Sequence, residues 1–268
     1  MHPLALAAAT ALGGELARAE PLSGGEMEQV LAIALRDGRT AVVKSGPAPH
    51  IEAAMLSAIA ATGAPTPEVL AVRDDLLVLA RLPSGGTIST AWPDLGAVLA
   101  RLHAGSGPEY GWPDSYAFGP LAIPNAPTGD WPAFWAERRL LVHVDRLPLD
   151  LARRVEALAA DLPNRLPALP RPVLLHGDLW GGNVIVNRRR VSGLVDPAAY
   201  HGHAEVDLAM LSLFDGPTGA FYDAYGPRED GADARRPIYA LWPGVVHVSL
   251  FGEAYRPLVE RLLRAAGA

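Results

Sequence analysis

The segment that most constrains the fold runs from residue 174 to residue 196. An apolar run enters a loop, HGDLWGG, and a second apolar run, NVIVN, leaves it. Two adjacent glycines allow this loop to turn tightly, so Asp178 and Asn183 can face one centre. A third apolar run then ends at Asp196. The pattern predicts that two acidic side chains and one amide meet at the ends of short strands.

The spacing of these three polar residues is typical of phosphoryl transfer. In protein kinases a catalytic Asp precedes a metal-binding Asn by five residues, and a second metal-binding Asp follows. Asp178 would orient a hydroxyl and accept its proton, whereas Asn183 and Asp196 would hold Mg²⁺ beside the phosphates of ATP. The segment therefore predicts an ATP- and magnesium-dependent kinase. His176 is expected to brace the loop by hydrogen bonds rather than to take part in the chemistry.

A kinase also needs a cation at the nucleotide phosphates and a carboxylate that holds this cation. Lys44 is the only lysine among 23 lysine and arginine residues, and it ends the apolar run TAVVK. We expect Lys44 to contact the phosphates and Glu52, on the following helix, to pair with it. Ser23, Gly24 and Gly25 precede the first hairpin. They could cover the phosphates, and an ordinary turn would account for them equally well.

The predicted secondary structure changes from mainly β to mainly helical at the stretch PSGG, residues 83–86. Before it, β-like runs are predicted at 29–35, 40–44, 68–72 and 75–80, with helices at 4–18 and 49–61. After it, helices are predicted at 93–104, 131–146, 149–161, 204–214, 217–225, 232–251 and 256–265, with a small β insert at 172–175, 183–187 and 191–195. This order predicts an α+β chain, with a small β-rich lobe over 1–82 and a larger, mainly helical lobe over 83–268. Leu82 would lie at a hinge whose backbone reads adenine, beside a ligand-binding cleft.

Composition limits the expected binding partners and the expected cellular location of the protein. The net charge is −6 and no dense basic stripe occurs, so nucleic acid is not an expected partner. No apolar run reaches the roughly 18 residues that span a membrane. The chain has no cysteine, which excludes disulfides and thiolate metal sites. The apolar N-terminal run lacks the basic residues of a signal peptide. These features fit a cytoplasmic protein, and a monomer or weak dimer is the expected state.

The chain resembles the fructosamine kinase (ketosamine-3-kinase) family over nearly its whole length. The most specific stretches are HGDLWGGNV at 176–184 and DPAAYHGHAEVDLAM at 196–210. Related aminoglycoside and choline kinases usually carry other residues at Trp180 and Pro197. Further similar segments are WPAFWAERRL at 131–140, FYDAY at 221–225 and HVSLFGEAY at 247–255.

The resemblance implies a protein-kinase-like fold of two lobes and phosphorylation of a hydroxyl on a fructosamine or ribulosamine, free or on a protein lysine. Phosphorylation at the third sugar carbon makes such adducts unstable, so the family acts in deglycation. By the same resemblance Trp180 would pack against the sugar amine, unless it only braces the loop. Glu205 would contact the substrate, unless it or Asp207 ties the loop to the next helix. Whether Tyr200 and His203 contact the substrate or only brace the loop is left open in the same way.

Two other interpretations remain. The same fold and chemistry could serve an aminoglycoside, choline or another metabolite alcohol, although Trp180 and the stretch DPAAYHGH favour a sugar amine. The segment 105–129, rich in proline and glycine, could shape the acceptor pocket, which leaves the acceptor open. A pseudokinase that only binds nucleotide is the third interpretation, and it is disfavoured because every core residue of a kinase site is present.

Overall fold

The computed structural model describes residues 2–22, 29–46 and 48–268. The predicted phosphate-covering residues Ser23, Gly24 and Gly25 lie outside these ranges, so their role stays a prediction. The N-terminal part is built on an antiparallel sheet of five strands in the order β1–β2–β3–β5–β4. These strands are β1 (Leu16–Pro21), β2 (Val30–Leu35), β3 (Thr40–Ser45), β4 (Val69–Arg73) and β5 (Leu76–Ala80).

The hairpin between β2 and β3 forms at the predicted Asp-Gly pair. Gly38 has a φ of 91°, a left-handed conformation that glycine adopts without steric cost. In the resulting register Lys44 lies opposite Val30 of β2 on one side and Leu77 of β5 on the other. The only lysine of the chain therefore stands in the central strand of the sheet.

Helix α1 (Pro3–Ala11) is shorter than the helix predicted over 4–18. Gly13, with a φ of 63°, follows the helix, and Leu16 to Pro21 then pair with β2. The prediction was wrong for the second half of this segment because its alanine-rich sequence suits a helix, whereas the pairing with β2 cannot be seen locally.

Helix α2 (Pro49–Ala61) has the predicted bounds and packs against β4 and β5. Its buried face carries Met55, Leu56 and Ile59 at helical spacing. The sulfur of Met55 accepts a hydrogen bond from the backbone N–H of Ala199, at 3.3 Å. Helix α2 thus contacts both the sheet and the stretch that follows Asp196 in the C-terminal part.

The C-terminal part is mainly helical, as predicted. Its helices are α3 (Trp92–Leu102), α4 (Trp131–Trp135), α5 (Leu149–Arg165), α6 (Glu205–Phe214), α7 (Gly219–Tyr225), α8 (Ala232–Phe251) and α9 (Arg256–Ala265). Helix α4 continues as a π-helical turn over Ala136–Leu140, so the single helix predicted at 131–146 is interrupted. The largest buried cluster lies among these helices. Of the helices described, none combines the length and the apolar composition that a membrane span requires.

Short strand pairs flank the segment that carries Asp178, Asn183 and Asp196. The strands of the C-terminal part are β6 (Tyr116–Phe118), β7 (Leu121–Ile123), β8 (Val173–Leu175), β9 (Val184–Asn187), β10 (Arg190–Leu194) and β11 (Tyr200–Gly202). Strand β9 pairs with β10, and β8 pairs with β11. The predicted β insert is therefore two separate pairs, and the β6–β7 hairpin was not predicted. Asp178 and Asn183 lie between β8 and β9, and Asp196 lies between β10 and β11.

Residues 81–87 connect the sheet to the helical part without regular structure. The N–H of Gly86 donates to the carbonyl of Val186 in β9, at 2.9 Å. Leu82 is half-buried and packs over Gly193, where an added Cβ would lie 2.6 Å from its Cδ1 atom. The connector thus rests on the β9–β10 pair. A division into lobes at residue 82 stays a proposal.

Candidate active site

The loop after β8 places Asp178 and Asn183 side by side. The Asn183 Nδ2 group donates to the backbone oxygen of Asp178 at 2.8 Å and to its carboxylate Oδ2 at 2.9 Å. Because a side-chain amide has two protons, both are used here, and Oδ1 of Asn183 is left as an acceptor. The loop therefore fixes a carboxylate and presents an amide oxygen beside it.

Asp178 has a strongly perturbed acidity. Burial raises the pKa of its carboxyl group to about 7, against the hydrogen bond from Asn183, which lowers the pKa. The negative charge of Asp196 raises the pKa further, and the positive charge of Lys44 lowers it. A carboxyl group whose pKa is near neutrality suits general base chemistry at physiological pH.

Asp207, in the first turn of α6, anchors this loop. Its fully buried carboxylate accepts hydrogen bonds from the N–H groups of His176 at 2.7 Å and Gly177 at 3.0 Å. A third contact, of 3.1 Å, joins it to Nε2 of His103. Burial alone would raise the pKa of Asp207, but the hydrogen bond from His103 and the other contacts hold it below its usual value. Of the two acids left open by the sequence, Asp207 ties the loop to the helix.

His176 is fully buried and has the bracing geometry that the sequence predicts. Its Nε2 lies 3.0 Å from the carbonyl oxygen of Val195, and its Nδ1 accepts from the N–H of Asp178 at 3.3 Å. A carbonyl can only accept, so the proton is on Nε2. Burial lowers the pKa of His176, in agreement with a neutral ring.

Lys44 connects the sheet of the N-terminal part to Asp196 in the C-terminal part. Its Nζ lies 2.9 and 3.1 Å from the carboxylate oxygens of Glu52 and 2.6 Å from Oδ1 of Asp196. Lys44 and Glu52 are only 5% and 4% exposed, and buried charges of this kind are tolerated when they are paired. The pair of Lys44 and Glu52 that the sequence predicts therefore forms, whereas the further contact of Lys44 with Asp196, which follows β10, was not predicted.

The oxygen atoms at Asn183 and Asp196 fit a magnesium ion. Mg²⁺ prefers carboxylate and amide oxygens, and both side chains line the same cavity as Asp178. Asp196 has a left-handed φ of 54°, and its side chain is 45% exposed. One carboxylate can thus contact Lys44 and still be open to a ligand.

A cavity of about 590 Å³ opens in front of these residues. Lys44, Asp178, Asn183 and Asp196 form its charged and polar part. Tyr116, which lines this cavity, also lines a small cavity beside Lys44 and Glu52. The apolar and aromatic part of the lining is called the acceptor wall, and its members are Phe118, Phe214, Trp242, Val246, His247, Leu250, Phe251 and Tyr255.

Trp180 lines the same cavity and is 42% exposed. Its ring meets that of Phe214 edge to face, with 6.4 Å between the ring centroids. Gly182 makes room for the indole, since a Cβ at this position would lie 2.3 Å from it. Both interpretations of Trp180, sugar contact and loop bracing, are consistent with this position.

Glu205, predicted to contact substrate, is not among the residues that line this cavity. Its buried carboxylate is bound by Arg235 through two hydrogen bonds, of 2.8 and 2.5 Å. The arginine neutralises it within the helical part, so the geometry does not support a substrate contact. Tyr200 and His203 are also buried, and Nδ1 of His203 contacts the hydroxyl of Tyr239 at 2.8 Å. Leu82 likewise does not line the cavity.

Sequence reasoning missed the acceptor wall. Its hairpin residue, Phe118, falls in the segment 105–129 that was associated with the acceptor pocket, but Phe118 itself was not singled out. A second signal was present in the sequence: His247 and Phe251 are four residues apart in the helix predicted over 232–251, a spacing that places their side chains on one face.

Comparisons with known proteins agree with this site. The model of the fructosamine kinase family matches residues 5–266. A "probable ketoamine kinase" of Thermus thermophilus is 34% identical over 278 residues, which cover 99% of this chain and all of its relative. The chain spans about half the length of other curated relatives that it matches, such as the mouse ketosamine-3-kinase.

Solved structures give the same result. A Thermobifida fusca protein, named as a candidate fructosamine-3-kinase, superposes with a TM-score of 0.88 at 31% identity over 98% of both chains. An aminoglycoside phosphotransferase solved with AMP-PNP and hygromycin B shares the fold, with a TM-score of 0.71 at 17% identity over 100% of this chain and 99% of its own. The predicted α+β, kinase-like fold is thus confirmed. The chain belongs to the fructosamine kinase family and is a phosphotransferase.

Proposed function

We propose that this chain transfers the γ-phosphoryl group of ATP to a hydroxyl of a ketosamine, a fructosamine or ribulosamine that is free or carried on a protein lysine. The observation that carries the proposal is the carboxylate of Asp178, whose pKa is about 7 and which shares one cavity with Lys44, Asn183 and Asp196. Relatives named ketosamine-3-kinase and protein-ribulosamine 3-kinase support the acceptor class.

In this reaction Asp178 orients the acceptor hydroxyl and accepts its proton. The hydroxyl oxygen bonds to the γ-phosphorus while the bond to the bridging β–γ oxygen breaks, and ADP leaves. Asn183 keeps the carboxylate in position through its two hydrogen bonds. Lys44, held by Glu52, contacts the nucleotide phosphates.

Asn183 and Asp196 are the residues that would hold Mg²⁺, which when bound neutralises negative charge on the phosphates. The complex of a protein of the same fold with AMP-PNP supports ATP as the donor. We further propose a cytoplasmic monomer or weak dimer that acts on small ketosamines or glycated lysines. The net charge of −6 gives no reason to expect a nucleic-acid partner.

ATP consumption should be measured against fructoselysine, ribuloselysine, an aminoglycoside and choline. We expect turnover with the ketosamines. Asp178→Asn should reduce it roughly 10³-fold without loss of ATP binding, which a thermal shift would report. Asp145→Asn, an exposed aspartate outside the cavity, is the matched control.

A fully active Asp178→Asn enzyme would contradict the assignment of the base. Turnover with only choline or the aminoglycoside would point to the second function considered above. ATP binding without turnover on any acceptor would instead indicate a pseudokinase.

A further inference from the structure

The polar part of the cavity lining and the acceptor wall differ in charge. Lys44 is the only lysine or arginine in the lining that the structure describes, and it is paired with Glu52 and Asp196. The carboxylates of the described lining, Asp178 and Asp196, belong to the polar part with Lys44. The acceptor wall carries no ionised carboxylate, lysine or arginine among its described residues. A charged group of a substrate that reaches this wall would therefore find no ion-pair partner.

Arg139 lies behind the wall without reaching the cavity. It is fully buried, and its guanidinium donates to the carbonyl of Pro124 at 2.9 Å and to Oδ1 of Asn125 at 2.8 Å. Its Cζ atom lies 5.1 Å from the centre of the Trp242 ring, which lines the cavity. Two guanidinium nitrogens of Arg139 thus donate to groups around it rather than to a ligand, whereas its buried Nε has no hydrogen-bond partner among the described residues.

His247 offers the wall a hydrogen-bond acceptor. Its Nδ1 lies 2.7 Å from the carbonyl oxygen of Pro243 and so carries a proton. In the neutral ring Nε2 then has a free lone pair, which can accept from an ammonium or a hydroxyl and repels a carboxylate. The ring lies among aromatic neighbours, 5.5 Å from Phe214 and 4.7 Å from Tyr255 between centroids.

We propose that this cavity selects ketosamines whose nitrogen carries an apolar or aromatic substituent without a carboxylate, and that it discriminates against ketosamines of free α-amino acids. The inference rests on the proposed function. A protonated amine is stabilised by ring faces, whereas a carboxylate at the wall would lose water without gaining a partner. The side chain of a glycated lysine within a protein meets this requirement, because its α-carboxyl group is part of a peptide bond.

Three substrates isolate the carboxylate. Fructosyl-phenethylamine and fructosyl-phenylalanine differ only by that group, and fructosyl-phenylalaninamide replaces it with a neutral amide of similar size. We expect kcat/KM to be roughly tenfold higher for the amine and the amide than for the acid. Equal kcat/KM for all three would overturn the inference and leave the proposed function intact. If none of the three, and neither fructoselysine nor ribuloselysine, is turned over, the proposed function itself fails.

A charge added to the wall tests where the carboxylate lies. Phe251 is 40% exposed, so Phe251→Arg should be tolerated by the fold. It should reduce the preference for amine over acid to roughly twofold, since arginine pairs with carboxylates. Phe251→Gln, polar but neutral, is the matched control and should keep the preference. If neither variant changes the preference, the substituent does not lie at this wall and the inference is overturned.

Discussion

The catalytic loop and the acceptor wall are held in place by different forces. Around Asp178 the loop is fixed by directional hydrogen bonds to buried groups, among them Asp207, His176 and Asn183. The acceptor wall is held by contacts between rings, with centroids 4.7 to 5.8 Å apart around His247. Hydrogen bonds fix atomic positions where a proton must move, whereas ring contacts tolerate changes of shape. Variants of the loop should thus affect every acceptor, and variants of the wall should change only the order of preference.

The largest effect is expected from Lys44→Met. Removal of the cation that Glu52 and Asp196 share should lower kcat/KM about 10²- to 10³-fold. The factor should be the same for every acceptor, because Lys44 is proposed to act on the nucleotide. Steady-state kinetics at varied ATP would measure it, and circular dichroism would check that the variant folds. A loss that differed strongly between acceptors would contradict the distinction between the catalytic loop and the acceptor wall.

The second-largest effect is expected from Asp207→Asn. An amide cannot accept from three donors as a carboxylate does, so we expect the free energy of unfolding to fall by about 2–4 kcal/mol and kcat to fall roughly tenfold. Asp215→Asn is the control, because Asp215, which directly follows α6, is only partly buried and accepts one N–H of the same loop, that of Gly181, at 2.7 Å. Urea denaturation and kcat with two acceptors would separate the variants. Similar losses for both would show that Asp207 is no special anchor.

The pKa of Asp178 predicts two opposite pH effects. Since the base must be ionised, kcat/KM should fall about tenfold per pH unit below pH 7. The folded pKa of about 7 lies above the unfolded value of 3.8, so the folded state disfavours the charge. The resulting loss of stability is absent below pH 3.8 and complete above pH 7.

Asp178→Asn should therefore be more stable than the wild type at pH 8, by about 1–2 kcal/mol, and equally stable near pH 4. Thermal unfolding at both pH values would measure the difference, with Asp145→Asn as the control. A wild type that is the more stable protein at pH 8 would contradict the raised pKa.

The smallest effect is expected from Trp180→Leu, in the catalytic loop but in contact with Phe214 of the acceptor wall. If the indole packs against the acceptor, the variant should raise the KM of the acceptor roughly fivefold and leave the KM of ATP unchanged. Phe214→Leu, which alters the ring next to it, is the matched control and should have a weaker effect. A lower kcat for all acceptors, with unchanged KM, would instead assign Trp180 to loop bracing.

The sequence allowed the catalytic loop to be predicted because its functional residues are near one another along the chain. Asp178 and Asn183 are separated by five positions, and a repeated pattern of strand, loop and strand fixes their direction. Helix α8 could be bounded because its helical spacing stops at Gly252, which has a φ of 77°. The acceptor wall could not be assembled in this way, because Phe118 and Tyr255 are far apart along the chain and line one cavity only in the tertiary fold.

The left-handed backbone at Asp196 has a consequence for anyone who engineers this protein. Glycine adopts such a φ without steric cost, and an aspartate there stores a small amount of strain. Asp196→Gly would relieve this strain, but it would also remove the ion pair with the buried Lys44 and the proposed metal ligand. A thermostabilisation screen should therefore score turnover beside melting temperature at this position.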